Sequence, residues 1–295
     1  MSFFERLRRL RDWDPDAYRP LLLGGARIGR VRHDLARRLA AFPRVFHVTE
    51  NAVAISERLA DPEARTHAVH EVAVELAGRG EIPRLRGETY GVAEAWDAPA
   101  RLRLDRGLVP LFGTRSYGVH LNGYVGDGPD QTLWIGKRNT TKRVAPGKLD
   151  HLVAGGVAHG YGIRETLIKE AAEEADMPEW LARQARPVGA LSYVCEAESG
   201  LRDDTLFIFD LAVPADFTPH NTDGELTGFQ AWPVREAMAK VAEPDAFKFN
   251  VAPVMIDFFI RHGWLEPDTE PDYPELCALL HGTAPFGAEA GGRDR

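Results

Sequence analysis

Cysteine is scarce in this chain: Cys195 and Cys277 are its two. Two thiols cannot form a disulfide framework, so a small fold stapled by several bridges is excluded and a reduced, cytoplasmic setting is expected. Long apolar runs are missing as well. No stretch approaches the ~20 residues needed to cross a bilayer, and no membrane partner is expected. The opening MSFFERLRRLRDWDPDAYRP is too charged for the apolar centre of a signal peptide. Positive charge is not in excess either. The net charge of −8 argues against generic nucleic-acid binding, which needs a basic surface. A small anionic ligand stays open, because a metal or a local basic loop can hold one.

The 295 residues suit about two domains of ~150 each. Residues 1–112 mix helical and strand-like pieces. HDLARRLAAF (33–42) and ARTHAVHEVAVELAGRG (64–80) carry apolar residues at helical spacing, with Gly78 or Gly80 as the stop. YRPLLLGGARIGRV and VFHVTENAVAI read as short strands with turns. Nothing here sets acids, histidines or cysteines at ligand spacing, so this accessory domain is expected to pack or to recognise.

A second domain, residues 113–265, starts near Gly113. SYGVHLNGYV (116–125) alternates like a strand, GDGPD is a turn, and QTLWIGKR (131–138) is the partner strand. GALSYVCEAE and DTLFIFDLAVP are two further strands, while VREAMAKVA and APVMIDFFIRHGW look helical. The pattern implies an α/β fold of the α+β type, a mixed sheet sandwiched by helices. Residues 266–295 are a C-terminal extension, and the stretch GTAPFGAEAGGRDR is expected to be mobile.

The chemistry concentrates in HLVAGGVAHGYGIRETLIKEAAEEADM, residues 151–177. Glu170, Glu173 and Glu174 fall at i, i+3 and i+4, on one helical face. Such like charges repel by a few tenths of a kcal/mol per pair, which a divalent cation would relieve. Three glutamates alone read as a solvated surface. The strand-like DHLVA and the Gly155–Gly156 loop ahead of them shift the reading to a metal–phosphate site.

Arg138, Lys142, Arg143 and Lys148 lie just before that loop. As a group they could grip a diphosphate, with Arg138 and Lys142 the candidates, although solvated loop charge explains each one singly. Trp134 offers a face for stacking on a heterocycle, against the alternative of core packing. His151 and His159 have no partner at zinc spacing and read as loop or edge residues. Ser192 and Cys195 lack any nucleophile signature. In HNTDGELTGF, Asp223–Gly224 alone would satisfy a turn; the alternative places Glu225 at the site.

The stretch resembles the Nudix box, G-x5-E-x7-R-E-U-x-E-E-x-G-U with U aliphatic. Gly155 takes the first position and Lys169-Glu170-Ala171-Ala172-Glu173-Glu174 the R-E-U-x-E-E core. Tyr161 stands where the upstream Glu belongs, Lys169 replaces Arg, and Asp176 replaces Gly. GVHLNGYV, LWIGKRNTTKRVAPGKLDHLVAGG, NTDGEL and FKFN look like one subfamily, with an extra N-terminal domain, similar to the Nudix part of fungal thiamine pyrophosphokinases.

This resemblance implies a Mg²⁺- or Mn²⁺-dependent hydrolase with Glu173 and Glu174 as metal ligands. The Gly155 carbonyl would be a third ligand, and Glu170 a ligand or the group that orients water. Glu225 would be a further functional acid. The implied substrate is a small diphosphate, cleaved to a monophosphate and orthophosphate, with damaged thiamine diphosphates (oxythiamine or oxothiamine diphosphate) favoured. The alternatives are 8-oxo-dGDP and a non-catalytic binding module. The oligomeric state is left open.

Overall fold

The computed structural model describes residues 1–282. Strands β1 (Tyr18–Leu23) and β2 (Ala26–Arg32) form a hairpin whose turn residues, Gly24 and Gly25, both have positive φ. That is the geometry a two-residue hairpin turn needs and the reason the sequence reads GG there. β1 also pairs in parallel with β4 (Val53–Ile55), which pairs with β3 (Phe46–Val48), giving the order β2-β1-β4-β3. Helix α3 (Pro62–Gly78) starts on Asp61, whose carboxylate accepts the Ala64 N–H at 2.8 Å. It buries Val69, Val72, Ala73 and Leu76. A two-stranded sheet, β5 (Thr89–Val92) with β6 (Leu102–Asp105), completes this region. One apolar cluster joins all of these elements.

The larger sheet is built on β7 (Arg115–Val125). Its strand order is β11-β12-β7-β8-β13, where β8 is Thr132–Arg138, β11 Arg186–Ala197, β12 Gly200–Ala212 and β13 Leu226–Pro233. β7 and β12 run parallel; the neighbours are antiparallel. DHLVA, expected as one strand, is split, because Leu149–Asp150 (β9) pairs with β8 and Val153–Gly156 (β10) pairs with β7. The chain therefore changes partner strands just before the glycine pair.

Both faces of the sheet are covered, so β12 alternates between two cores. Leu206 and Ile208 pack under helix α8 (Val251–Arg261), and Phe209 and Leu211 pack under helix α5 (Ile163–Ala175). α8 is apolar on nearly every side and contributes Val254, Met255, Ile256, Phe258 and Phe259, each buried. Burying a side chain of that size contributes about 1.5–3 kcal/mol.

The chain termini meet in this core. Leu7 and Leu10, in the first segment of the chain, join the α8 cluster, and the Arg6 guanidinium donates to the Val241 carbonyl at 3.1 and 3.0 Å. The first helix (Phe3–Arg8) thus crosses the division expected at residue 113. Tyr273–His281 forms a last helix that adds Leu276 and Leu280. The expected mobile tail lies outside the described residues from residue 283 onward.

Candidate active site

α5 is capped by Gly162 and turns Glu170 and Glu174 toward β10. Glu174 is buried, and its Oε2 accepts the Ala154 N–H at 2.8 Å. Its Oε1 has no protein donor among the described residues. Burial pushes the Glu174 carboxyl well above its usual range, against the pull of the Ala154 N–H. The charges of Asp150, Glu225 and Glu170 push the same way as burial. Glu170 is raised by burial as well, opposed by Lys169. Glu170 rests against Gly155 so closely that any Cβ there would overlap it. The first glycine of the motif is needed for that approach.

Lys169 lies between two of the acids. Its Nζ is 3.2 Å from Glu170 Oε1 and 2.7 Å from Glu173 Oε2. Glu173 itself is about half exposed. Among the described residues no three His, Cys, Asp or Glu side chains already stand together as a ready-made cation site. The donors nevertheless fit a hard divalent ion: they are oxygens only, two of the acids resist ionisation unaided, and Glu174 keeps an oxygen in reserve.

A cleft opens in front of this helix face. Of the residues expected at the site, Glu170, Glu174, Glu225, Gly155 and Arg138 line it. Glu173, Lys142 and Trp134 are not among its lining residues. Trp134 packs with the apolar cluster beneath α5, the alternative weighed for it from sequence. Arg138 was expected as an open anion hook, and its guanidinium is fully engaged. Nη1 meets Asp150 at 2.7 Å, Nη2 meets Glu225 at 3.0 Å, and Nε donates to the Val144 carbonyl at 3.1 Å. Lys142 holds the other Glu225 oxygen at 3.0 Å. In this arrangement Arg138 and Lys142 position Glu225.

The NTDGEL loop explains how Glu225 arrives there. Asp223 Oδ1 accepts the Glu225 N–H at 2.7 Å, and Gly224 takes φ 76°. Asn221 and Thr222 dock on the end of α5, donating to the Glu174 and Glu173 carbonyls at 3.2 and 2.7 Å. The Asp-Gly turn and the acid at the cleft are two parts of one loop.

The three departures from the box have distinct surroundings. Asp176 sits in the left-handed conformation, φ 51°, that the box glycine would adopt freely. Tyr161 is exposed, 45% accessible, ahead of the helix. Lys169 bridges Glu170 and Glu173 as described above.

His151, expected in a loop or at an edge, is buried. Its Nδ1 is 2.8 Å from Nδ1 of the equally buried His120, so one ring donates and the other accepts. His159 is exposed. Cys195 is buried, with its thiol pushed up to about 12 by burial and Asp204.

The remaining wall was not assigned to the site from the sequence, although FKFN stood among the segments that carry the resemblance. Arg86, Tyr90 and Arg106 come from the N-terminal region, Arg202 from β12, and Lys248, Phe249 and Asn250 from FKFN. The N-terminal residues are spread over a segment with no acid, His or Cys motif, and the packing of β5 against β7 and β10 brings them in.

The chain is 36% identical over 279 residues to Nudix hydrolase 20, chloroplastic, of Arabidopsis thaliana, covering 91% of this chain and 75% of that protein. Nudix hydrolase 24, chloroplastic, of the same plant is 38% identical over 263 residues, covering 88% and 72%. An uncharacterized protein of Saccharomyces cerevisiae, YJR142W, is 28% identical over 263 residues, covering 83% and 76%. Residues 2–116 match a family described as a domain of unknown function, DUF4743. A mixed sheet between helix layers, with a glycine strand end against an acidic helix, is the Nudix architecture, and the chain belongs to the Nudix hydrolase family. It is a Nudix-type diphosphate hydrolase carrying an additional N-terminal sheet region; hydrolases of this family generally use a divalent cation, usually Mg²⁺.

Proposed function

We propose that the protein hydrolyses a diphosphate to a monophosphate and orthophosphate with Mg²⁺ or Mn²⁺, and that its substrate is a damaged thiamine diphosphate such as oxythiamine or oxothiamine diphosphate. The observation that carries the reaction class is the set of acids at one cleft: Glu170 and Glu174 on the helix and Glu225 on the facing loop. Glu170, Glu173, Glu174 and the Gly155 carbonyl would hold the cation. When bound, the ion neutralises phosphoryl oxygens and acidifies a water. Glu225, which Arg138 and Lys142 hold at the cleft, would serve as the proton acceptor for the attacking water. The substrate class rests on the ordered likeness of HLNGYV, PGKLDHLVAGG and NTDGEL to thiamine-linked Nudix proteins.

A kinetic panel tests the substrate. The kcat/KM for oxythiamine or oxothiamine diphosphate is expected to exceed that for thiamine diphosphate, ADP, ADP-ribose and 8-oxo-dGDP. A clear preference for 8-oxo-dGDP would replace this reading with a nucleotide-sanitising one.

A further inference from the structure

The N-terminal region does not stand apart from the cleft. Tyr90 on β5 is buried against Gly156, and the segments flanking β5 and β6 carry Arg86 and Arg106 into the cleft that Glu170 also lines. One buried carboxylate ties both segments down. Asp105 accepts the Arg86 N–H at 3.0 and 2.9 Å, the Gly87 N–H at 2.7 Å and the Gly107 N–H at 2.7 Å. The two arginines are therefore mounted on a fixed frame.

Their charges are unequally satisfied. Arg106 pairs with Glu88 at 2.8 Å, and Arg202 reaches Asp204 at 2.9 and 2.8 Å. Arg86 has no carboxylate partner among the described residues. Partial burial and the positive charges of Arg106, Arg143 and Arg202 lower its pKa. Guanidinium groups brought together in this way repel each other, and an anion between them removes the repulsion. The acids of the same cleft, Glu170, Glu174 and Glu225, repel a bare anion and accept it only with a cation in between. A phosphoryl chain satisfies both sets of charges: its metal side faces Glu170 and Glu174, and its free oxygens face the guanidinium forks.

We propose that Arg86 and Arg106, with Arg202, form the phosphate-gripping wall of the hydrolase cleft, so that the N-terminal region supplies two of its three arginines. The ligand class is a diphosphate, and the assignment rests on the hydrolase reading above for its biological meaning. The binding itself is tested without turnover.

The probe is inorganic pyrophosphate, titrated calorimetrically into the full-length protein in Mg²⁺ buffer. Arg86→Ala is expected to weaken binding at least tenfold, Arg86→Lys less, and the Arg86→Ala/Arg106→Ala double variant to abolish it. The wild-type affinity should fall with salt more steeply than that of Arg86→Ala. The Arg86 side chain has no carboxylate partner among the described residues and the residue is exposed, so its substitution is expected to leave the fold intact, with an unchanged melting temperature. A double variant that binds within twofold of wild type, or a wild type that binds no pyrophosphate, overturns the proposal. If no organic diphosphate is hydrolysed while pyrophosphate binding still depends on Arg86, the hydrolase reading fails and the anion wall stands.

Discussion

The Tyr90 hydroxyl of the N-terminal region occupies the space that a Cβ on Gly156 would require. A box-proximal glycine is thus a docking point for the accessory sheet as well as a loop residue. Gly156→Ala should displace Tyr90 and cost about 1–3 kcal/mol, the usual range for overpacking. In a Tyr90→Ala background the same substitution should cost less than half as much. Equal costs in both backgrounds, measured by urea denaturation, would separate the two residues energetically.

Lys169 pairs with Glu170 and Glu173, two of the acids proposed to hold the cation. Lys169→Met removes its ammonium while keeping a long apolar stem. The Mg²⁺ concentration for half-maximal activity should fall several-fold in this variant, because both acids lose their internal counter-ion. A higher Mg²⁺ requirement would instead make the ammonium part of the working site.

Asp176 holds a left-handed φ of 51° at a helix end where glycine bears no steric penalty. Asp176→Gly should stabilise the protein by roughly 0.5–1 kcal/mol and leave kcat unchanged. Thermal melts and initial rates check both statements; a destabilised variant would mean the carboxylate has an unrecognised partner.

Burial holds His151 down at about 4 and His120 well below its usual 6.5. The folded chain keeps both imidazoles neutral, while the unfolded chain protonates them near 6.5. The unfolded state therefore binds more protons below that pH, and stability falls as pH drops from about 6.5 toward about 4. Glu174 and Glu170, raised by burial, act in the opposite sense. In a Glu170→Gln/Glu174→Gln background the urea midpoint should accordingly drop between pH 7 and pH 5. A flat midpoint there would show that the pair is charged in the folded state.

The central sheet and the box helix were legible because each carries its period on a short segment. SYGVHLNGYV alternates for β7, and KEAAEEA sets its acids at helical spacing. β13 was not read, since Gly228 and Pro233 interrupt it; both are tolerated because it is an edge strand with a bulge. His151 does lie in the loop between β9 and β10, but its burial was not legible because its partner, His120, lies on a distant strand. Arg138 read as free because the sequence does not show that Asp150 and Glu225 close on it. Arg86 and Arg106 gave no signal at all: their shared clamp, Asp105, acts through backbone N–H groups that any residue could supply.

The carboxylates of α5 are proposed to run a cation-dependent diphosphate hydrolysis. Orthophosphate release from oxythiamine diphosphate, followed in Mg²⁺ and in EDTA for wild type and Glu174→Gln, tests it most directly. Glu174→Gln keeps an acceptor for the Ala154 N–H and removes only the charge. The expected result is release that EDTA abolishes and that Glu174→Gln lowers by ~10²-fold or more at an unchanged melting temperature. Wild-type rates in Glu174→Gln, or release that persists in EDTA, would contradict it.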